Sequence, residues 1–201
     1  MLGKLGDVMN QLRKRDSHLW ARDPNDWYVE PEWVSERLFQ QEPFTGPIWD
    51  PACGLGRIVL AAQQAGCAAI GSDIIDRRST AARFAFVAAD FFKIGPMEPC
   101  PMIVSNPPYK HAQAFAGAAL QKASKVALLL PLDWLSGDKR SRWLETTPLE
   151  TVWVLTPRPS MPPGAVIVAG VEPGGGEEDF AWFVWQAGYA GSPRIKWLHR
   201  K

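Results

Sequence analysis

The sequence predicts an α/β fold in which a mostly parallel sheet carries helices on both faces. From residue 48 onward, short apolar runs alternate with stretches of helical pattern. One run, 126–130, is apolar throughout, as in a strand that is covered on both faces. The 201 residues, 46% of them hydrophobic, are enough to bury one core, so we expect one main domain.

The elements follow in a regular order. The first helix carries Pro31 in its first turn, and the second ends at Gly66, which is typical of a helix C-terminus. The predicted helices are 31–39, 58–65, 112–123 and 139–145, and the predicted strands are 48–50, 68–73, 86–90, 102–105, 126–130, 151–155 and 180–185. Strand and helix alternate, and this alternation predicts the parallel sheet.

The ends of the chain and one long connection differ from this pattern. Residues 157–179 are rich in Pro and Gly, and we expect a long loop there with a short strand at 165–168. Residues 1–26 are interpreted as an N-terminal extension, 27–190 as the main domain, and 191–201 as a basic C-terminal tail.

Composition limits the partners and the compartment. Lys plus Arg (22) balance Asp plus Glu (21), so any nucleic-acid contact must come from a local patch. Runs of basic residues are more often only a solvated surface, but in this sequence they also offer a candidate phosphate-binding edge. Its residues would be Lys139, Arg140, Arg142, Arg158, Arg194, Lys196, Arg200 and Lys201.

The cysteines and the apolar segments lead to a further expectation. Cys53, Cys67 and Cys100 match the spacing of neither a zinc site nor a disulfide framework. No segment approaches the roughly 18 apolar residues that span a membrane, and the N-terminus lacks a signal peptide. We therefore expect a soluble, cytoplasmic protein without a bound metal.

A glycine-containing turn follows the first strand. In Asp50-Pro51-Ala52-Cys53-Gly54-Leu55-Gly56, the glycines allow the backbone to pass close to a ligand, and the following helix N-terminus favours an anionic group. No Gly-Lys-Ser/Thr follows, so the turn is not a P-loop. Asp73 and Asp90 end the second and third strands, the side on which open α/β sheets bind ligands.

The most specific signal is Asn106-Pro107-Pro108-Tyr109, which follows the fourth strand. Methylation of an exocyclic amine requires its two protons to be held so that the nitrogen lone pair is freed. The Asn106 side-chain oxygen and the Pro107 carbonyl are two acceptors for those protons. Prolines stiffen the turn, and Tyr109 offers a flat face on which a base could stack.

Together these motifs resemble the class I S-adenosylmethionine (SAM)-dependent methyltransferases of the NPPY group, most closely the small, phage-type adenine-N6 DNA methyltransferases. The resemblance spans Trp27 to Gln186. It implies a Rossmann-like sheet of seven strands with an antiparallel last strand. By position, it assigns cofactor contacts to Tyr28, Pro31, Asp50, Ala52, Cys53, Gly54, Gly56, Asp73, Ile74, Asp90 and Phe91, and the target amine and base to Asn106, Pro107, Pro108 and Tyr109.

The sequence departs from this family at two points. Glu30 stands where the family motif usually has Thr, so its carboxylate would either meet the cofactor's ammonium group or turn away. No large target-recognition domain is present within the 201 residues. The recognised site would then be short, or the specificity for it would be weak or supplied by a protein partner.

Other substrates and one other class of protein stay open. The same turn could hold a glutamine carboxamide of a protein, or an adenine or guanine of RNA. Cytosine-C5 chemistry is disfavoured, because Cys100 precedes the fourth strand and would face the other edge of the sheet. A nucleic-acid-binding module that keeps the fold without turnover would not need the three acids Asp50, Asp73 and Asp90.

Overall fold

The computed structural model describes residues 23, 25–79, 81–95 and 102–201. They form one sheet of eight strands in the order β3-β2-β1-β4-β5-β7-β6-β8, with helices around it, which confirms the predicted fold class. The strands are β1 (Ile48–Asp50), β2 (Ala69–Asp73), β3 (Ala85–Ala88), β4 (Met102–Ser105), β5 (Lys125–Pro131), β6 (Leu149–Thr156), β7 (Phe180–Gln186) and β8 (Arg194–His199). The helices are α1 (Glu32–Gln41), α2 (Arg57–Gln64), α3 (Ala112–Lys122), α4 (Asp138–Glu145) and α5 (Gly164–Val168), and 3₁₀ turns lie at Tyr109–His111 and Leu132–Leu135.

Strand directions place the polar motifs at one edge of the sheet. β7 is antiparallel to both of its neighbours, β5 and β6, while the other pairs are parallel. Since β1 lies between β2 and β4, the chain winds outward from β1 in two directions, and a crevice opens at this point. The carboxyl ends of β1, β2 and β4 therefore meet at the crevice.

Both faces of the sheet are buried, which explains the continuous apolar runs. Trp49 and Ile103 on one face pack in a cluster with Phe115 of α3. Ile48 on the other face packs with Leu38 of α1 and with other residues of α1 and α2. The central strands β5 and β7 are buried over six of their seven residues each. Hydrophobic burial on both faces thus fixes the positions of the strands whose ends form the crevice.

The expected basic tail is instead mostly an eighth strand. β8 pairs in parallel with β6, from Thr151 opposite Arg194 to Thr156 opposite His199. Its sequence alternates charged and apolar residues, but only Leu198 is buried, because β8 forms the edge of the sheet. The described residues therefore form eight strands rather than seven. The last of the seven predicted strands, β7, is antiparallel as expected, and β8 follows it.

The long loop contains a helix where a strand was expected. Residues 164–168 form the short helix α5, so the prediction of a strand at 165–168 is wrong. A short apolar run does not by its period distinguish strand from helix, and the backbone of this segment is held by Gly164 N–H donating to Trp27 O (2.9 Å). The predicted features of residues 1–22 and the position of Cys100 lie outside the described residues. None of the helices that the structure describes is long and apolar enough to cross a membrane.

Candidate active site

A cavity of about 300 Å³ lies in the crevice between the carboxyl ends of β1, β2 and β4. The segment before α1 and the turn after β4 close its sides. Of the residues singled out from the sequence, those on its walls are Tyr28, Asp50, Ala52, Cys53, Gly54, Asp73, Ile74, Asp90, Phe91, Asn106 and Pro108. Pro31, Gly56, Pro107 and Tyr109 lie beside the cavity without lining it.

The glycine-containing turn is held tightly to its neighbours. Asp50 Oδ1 accepts hydrogen bonds from Ala52 N (3.2 Å) and from Ser105 Oγ (2.7 Å), so it ties β1 to β4. Gly56, the residue before α2, has φ of 85°, and a Cβ atom there would lie 2.2 Å from the Phe84 ring. Only glycine meets both constraints. The turn is therefore preorganised before any ligand binds.

Asp73, at the end of β2, is already hydrogen-bonded by the protein. Its Oδ2 accepts from Gly54 N (3.0 Å), and its Oδ1 accepts from Ile75 N (3.1 Å) and Arg77 Nη1 (2.8 Å). An ionised carboxylate has about four lone-pair sites. One site on Oδ2 remains, and a ligand with two hydroxyl groups would also have to compete with Arg77.

Sequence reasoning missed Arg77 and Trp27 as residues of the cavity wall. The Arg77 guanidinium lies 4.7 Å from the centre of the Trp27 ring, and both residues line the cavity. Trp27 packs so closely on Gly164 that a Cβ atom there would lie 2.1 Å from the indole. Its buried Nε1–H has no hydrogen-bond partner among the described residues. No local motif distinguishes either residue, since Trp27 meets Arg77 and Gly164 only in the folded chain.

Two buried acids, Asp50 and Glu30, line the cavity. Asp50 is 1% exposed and Glu30 4% exposed, and among the described residues neither carboxylate takes part in an ion pair. Burial raises the pKa of Glu30, and burial together with the nearby Glu30 and Asp73 carboxylates raises the pKa of Asp50 well above its usual range. A cationic ligand would relieve this unfavourable burial of negative charge.

The adenine end of the expected cofactor site is more open. Ile74 is 68% exposed at the cavity, as a residue that packs on a planar ligand would be. Asp90 accepts a hydrogen bond from Phe92 N (3.0 Å), and this bond and Lys93 lower the pKa of the Asp90 carboxyl. Phe91 is buried against Trp49 and therefore belongs mainly to the core.

The Asn106 side chain is held at both ends of its amide. Nδ2 donates to Tyr28 O (3.1 Å) and Glu30 Oε2 (2.9 Å), while Oδ1 accepts from Tyr109 Oη (2.9 Å). Burial and the neighbouring Glu30 and Asp26 carboxylates raise the pKa of Tyr109 well above its usual range, so its hydroxyl keeps the proton that it donates. The Tyr109 ring stacks on Tyr28, 5.9 Å between centroids. One face of Tyr109 is therefore already covered.

Neither a reactive cysteine nor a metal centre is found at the site among the described residues. Cys53 is buried, and burial together with Asp50 raises the pKa of its thiol, so it is not a reactive thiolate. Within residues 23, 25–79, 81–95 and 102–201, no three His, Cys, Asp or Glu side chains gather as metal ligands would.

Solved structures of methyltransferases share this fold. A protein of Pyrococcus horikoshii described as an RNA methyltransferase superposes with a TM-score of 0.59 at 12% identity, covering 90% of this chain and 98% of that one. The 23S rRNA methyltransferase ErmE gives 0.51 at 13% identity, covering 80% and 69%. Magnesium protoporphyrin IX methyltransferase from Synechocystis PCC 6803, solved with bound SAM, gives 0.50 at 13% identity, covering 77% and 76%.

At these identities the likeness establishes the fold: the Rossmann-like fold of class I methyltransferases. No protein-family model matches the sequence, and the search of curated proteins found no match. The role of each residue in the crevice therefore depends on the geometry described above.

Proposed function

We propose that this protein is a SAM-dependent methyltransferase that modifies an exocyclic amino nitrogen, N6 of adenine in DNA. The observation that carries the proposal is the Asn106 amide, whose orientation is fixed by hydrogen bonds at both ends beside a cavity lined by buried acids. The fold agrees with methyl transfer, since three methyltransferases, two of them described as acting on RNA, share it.

The cavity suits SAM in charge and in shape. The bound cofactor would supply an electrophilic methyl group on a sulfonium, and it carries an ammonium group as well. Asp50, buried without an ion pair among the described residues, provides the negative charge that both groups require. Asp73 has a free lone-pair site for a ribose hydroxyl, and Ile74 presents an exposed apolar side chain for the adenine ring.

The turn after β4 suits an amine as the acceptor of the methyl group. Asn106 Oδ1 would accept a hydrogen bond from one amine proton, and the Pro107 carbonyl, at the side of the cavity, would accept one from the other, so that the nitrogen lone pair is freed. The freed lone pair would take the methyl group that bound SAM would supply, and the extra proton on nitrogen would leave to solvent. Acceptors that are already oriented stabilise this transition state without reorganisation.

An adenine in duplex DNA would have to leave the stack to reach this cavity. The Tyr109 ring contacts both Tyr28 and Phe180 and does not line the cavity, so the flipped base would stack on the Tyr28 ring, which does line it. An RNA adenine is the second candidate, because two of the solved structures with this fold are described as RNA methyltransferases.

The test is transfer of methyl-labelled SAM to duplex DNA, single-stranded DNA, structured RNA and a protein lysate, with the labelled product identified after digestion. We expect N6-methyladenine from DNA. Label in RNA or in protein glutamine would keep the cofactor and the site but change the substrate. Binding of SAM without label in any substrate would favour a binding module or a missing partner protein.

A further inference from the structure

Glu30, which replaces the expected threonine, lies against the proposed target-binding residue. We propose that Glu30 is a positioning residue: its carboxyl oxygen holds the Asn106 amide so that Oδ1 faces the target amine. This inference rests on the proposed function, because it specifies how the Asn106 oxygen is aimed. It differs from the alternative in which Glu30 binds the ammonium group of the cofactor.

The hydrogen bonds around Asn106 have a fixed polarity. Both protons of Nδ2 are used, one by the Tyr28 carbonyl and one by Glu30 Oε2. The Tyr28 carbonyl carries no proton, and Glu30 Oε2 carries none while it accepts from Nδ2, so neither oxygen could pair with an amide oxygen. If the amide turned over, Oδ1 would face two acceptors and Nδ2 would face the target amine. Two acceptor contacts on one side therefore determine which atom the substrate meets.

The backbone around Glu30 is fixed from two sides. Val29 N donates to Pro162 O (3.0 Å), and Arg57 Nη1 donates to Glu30 O (2.5 Å), so the arginine binds the main chain and not the carboxylate. Glu30 is 4% exposed. Within the described residues, its carboxyl group accepts a side-chain hydrogen bond from Asn106, and Arg57 and Ser35 lie close enough to oppose the effect of burial on its pKa.

Burial of an acid without an ion pair is unfavourable, and residues placed in this way are concentrated at functional sites. Burial raises the pKa of Glu30. A protonated carboxyl group still has an acceptor oxygen, so the contact with Asn106 Nδ2 does not require the charge. Glutamine, which has the same shape and keeps a carbonyl oxygen, should therefore serve in place of glutamate.

The experiment compares Glu30→Gln, which keeps the acceptor, with Glu30→Met, which fills the same space without one. The matched control is Glu32→Gln, which changes an exposed acid of the same segment. We expect kcat of Glu30→Met to fall about ten- to a hundredfold, as for other residues that orient a catalytic side chain. Glu30→Gln and Glu32→Gln should stay within about threefold of the parent, and the Kd for SAM should change by less than about threefold throughout.

A second readout does not depend on activity. In ¹⁵N spectra of the ligand-free protein, the Asn106 side-chain amide signals are identified by their loss in Asn106→Ala. We expect them to keep their positions in Glu30→Gln and to move in Glu30→Met toward those of a solvated amide. If Glu30→Met does not fold, the inference is overturned by a loss of kcat of about tenfold or more in Glu30→Gln, or by movement of its Asn106 amide signals.

The inference is overturned if the Asn106 amide signals are unchanged in Glu30→Met, or if Glu30→Gln loses as much kcat as Glu30→Met. It is also overturned if either variant weakens SAM binding at least about tenfold with kcat retained, since that result assigns Glu30 to the cofactor. Failure of the proposed function looks different: the parent protein itself would transfer no methyl group to adenine, while the spectra would still report the Glu30–Asn106 contact.

Discussion

Two buried glutamates in this protein have opposite surroundings. Glu42, after α1, is 6% exposed and is paired with Lys125 Nζ (2.5 Å) and Trp153 Nε1 (2.8 Å). Glu30, before α1, is as deeply buried but lacks an ion pair among the described residues and is held instead by Asn106. The first arrangement satisfies the buried charge within the fold, and in the second the carboxyl group contacts a side chain of the candidate active site.

The same contrast separates two regions of the sheet. Around β6 and β7, buried indole N–H groups find acceptors: Trp182 Nε1 donates to Val34 O (3.1 Å) and Trp185 Nε1 to Thr147 Oγ1 (3.0 Å). In the crevice at β1 and β2, Trp27 Nε1 has no partner among the described residues, and Asp50 has no ion pair there. Satisfied groups stabilise the fold, whereas unsatisfied groups persist where a ligand would complete them.

We expect the greatest loss of stability when the buried pair of Glu42 and Lys125 is broken. Lys125→Met leaves Glu42 buried without its cation, so the free energy of unfolding should fall by about 3–5 kcal/mol, measured by urea denaturation. As the matched control, Glu30→Gln should change this free energy far less, because no ion pair to the Glu30 carboxylate is lost. Equal losses in the two variants would show that the two glutamates do not differ in the way described here.

The next effect concerns activity. Asn106→Ala removes the oxygen proposed to hold the target amine, so kcat should fall about 10²–10³-fold, as when a preorganised transition-state contact is lost. Single-turnover transfer from labelled SAM measures it, with Gln121→Ala as an exposed control. SAM affinity should stay nearly unchanged. Undiminished turnover would remove Asn106 from the reaction.

A smaller loss is expected at the second partner of Glu42. Trp153→Phe deletes the donor to Glu42 Oε2 within the buried cluster, and the free energy of unfolding should fall by about 1–3 kcal/mol. Trp197→Phe, at a residue that is 59% exposed, serves as the control and should be nearly neutral. If Trp153→Phe lowers the free energy of unfolding no more than Trp197→Phe does, the hydrogen bond from Trp153 does not stabilise the buried Glu42.

The smallest effect should be a gain in stability. Because the pKa of Asp50 is raised by burial, the folded protein binds this proton more strongly than the unfolded chain does. The resulting stabilisation is fully present below the unfolded pKa of about 3.9 and is lost as pH rises through the folded pKa.

Asp50→Asn does not titrate, so it should unfold with a free energy about 1 kcal/mol above the parent's at neutral pH. Thermal unfolding from pH 4 to 8 measures this difference, which should grow with pH. The variant should also bind SAM more weakly. A difference in stability that shrinks as pH rises would show that the Asp50 carboxylate is compensated in the folded protein.

Much of the fold follows from local pattern in the sequence. Runs such as 126–130 predict strands because burial on both faces requires continuous apolar residues, and the structure has β5 there. β8 was missed because an edge strand buries only Leu198 and otherwise looks like a charged tail. α5 was taken for a strand because five residues are too few to show a period.

The crevice could be located from the sequence only in part. The acids at strand ends and the Asn106 turn converge because parallel strands end at one edge, a consequence of topology that the alternating pattern predicts. The contacts of Glu30 with Asn106 and of Arg77 with Asp73 depend on side-chain geometry, which no spacing encodes. Their roles, like those of the other site residues, stay predictions.

Calorimetric titration of SAM into the parent protein and into Asp73→Ala tests directly whether SAM binds in the crevice. Asp76→Ala is the matched control, since Asp76 lies three residues further on and does not line the cavity. We expect one SAM bound per chain, with an affinity at least about tenfold weaker for Asp73→Ala, since a hydrogen-bonded charged contact is lost, and little change for Asp76→Ala. Absence of binding to the folded parent, or equal affinity in all three proteins, would contradict a SAM site in this crevice.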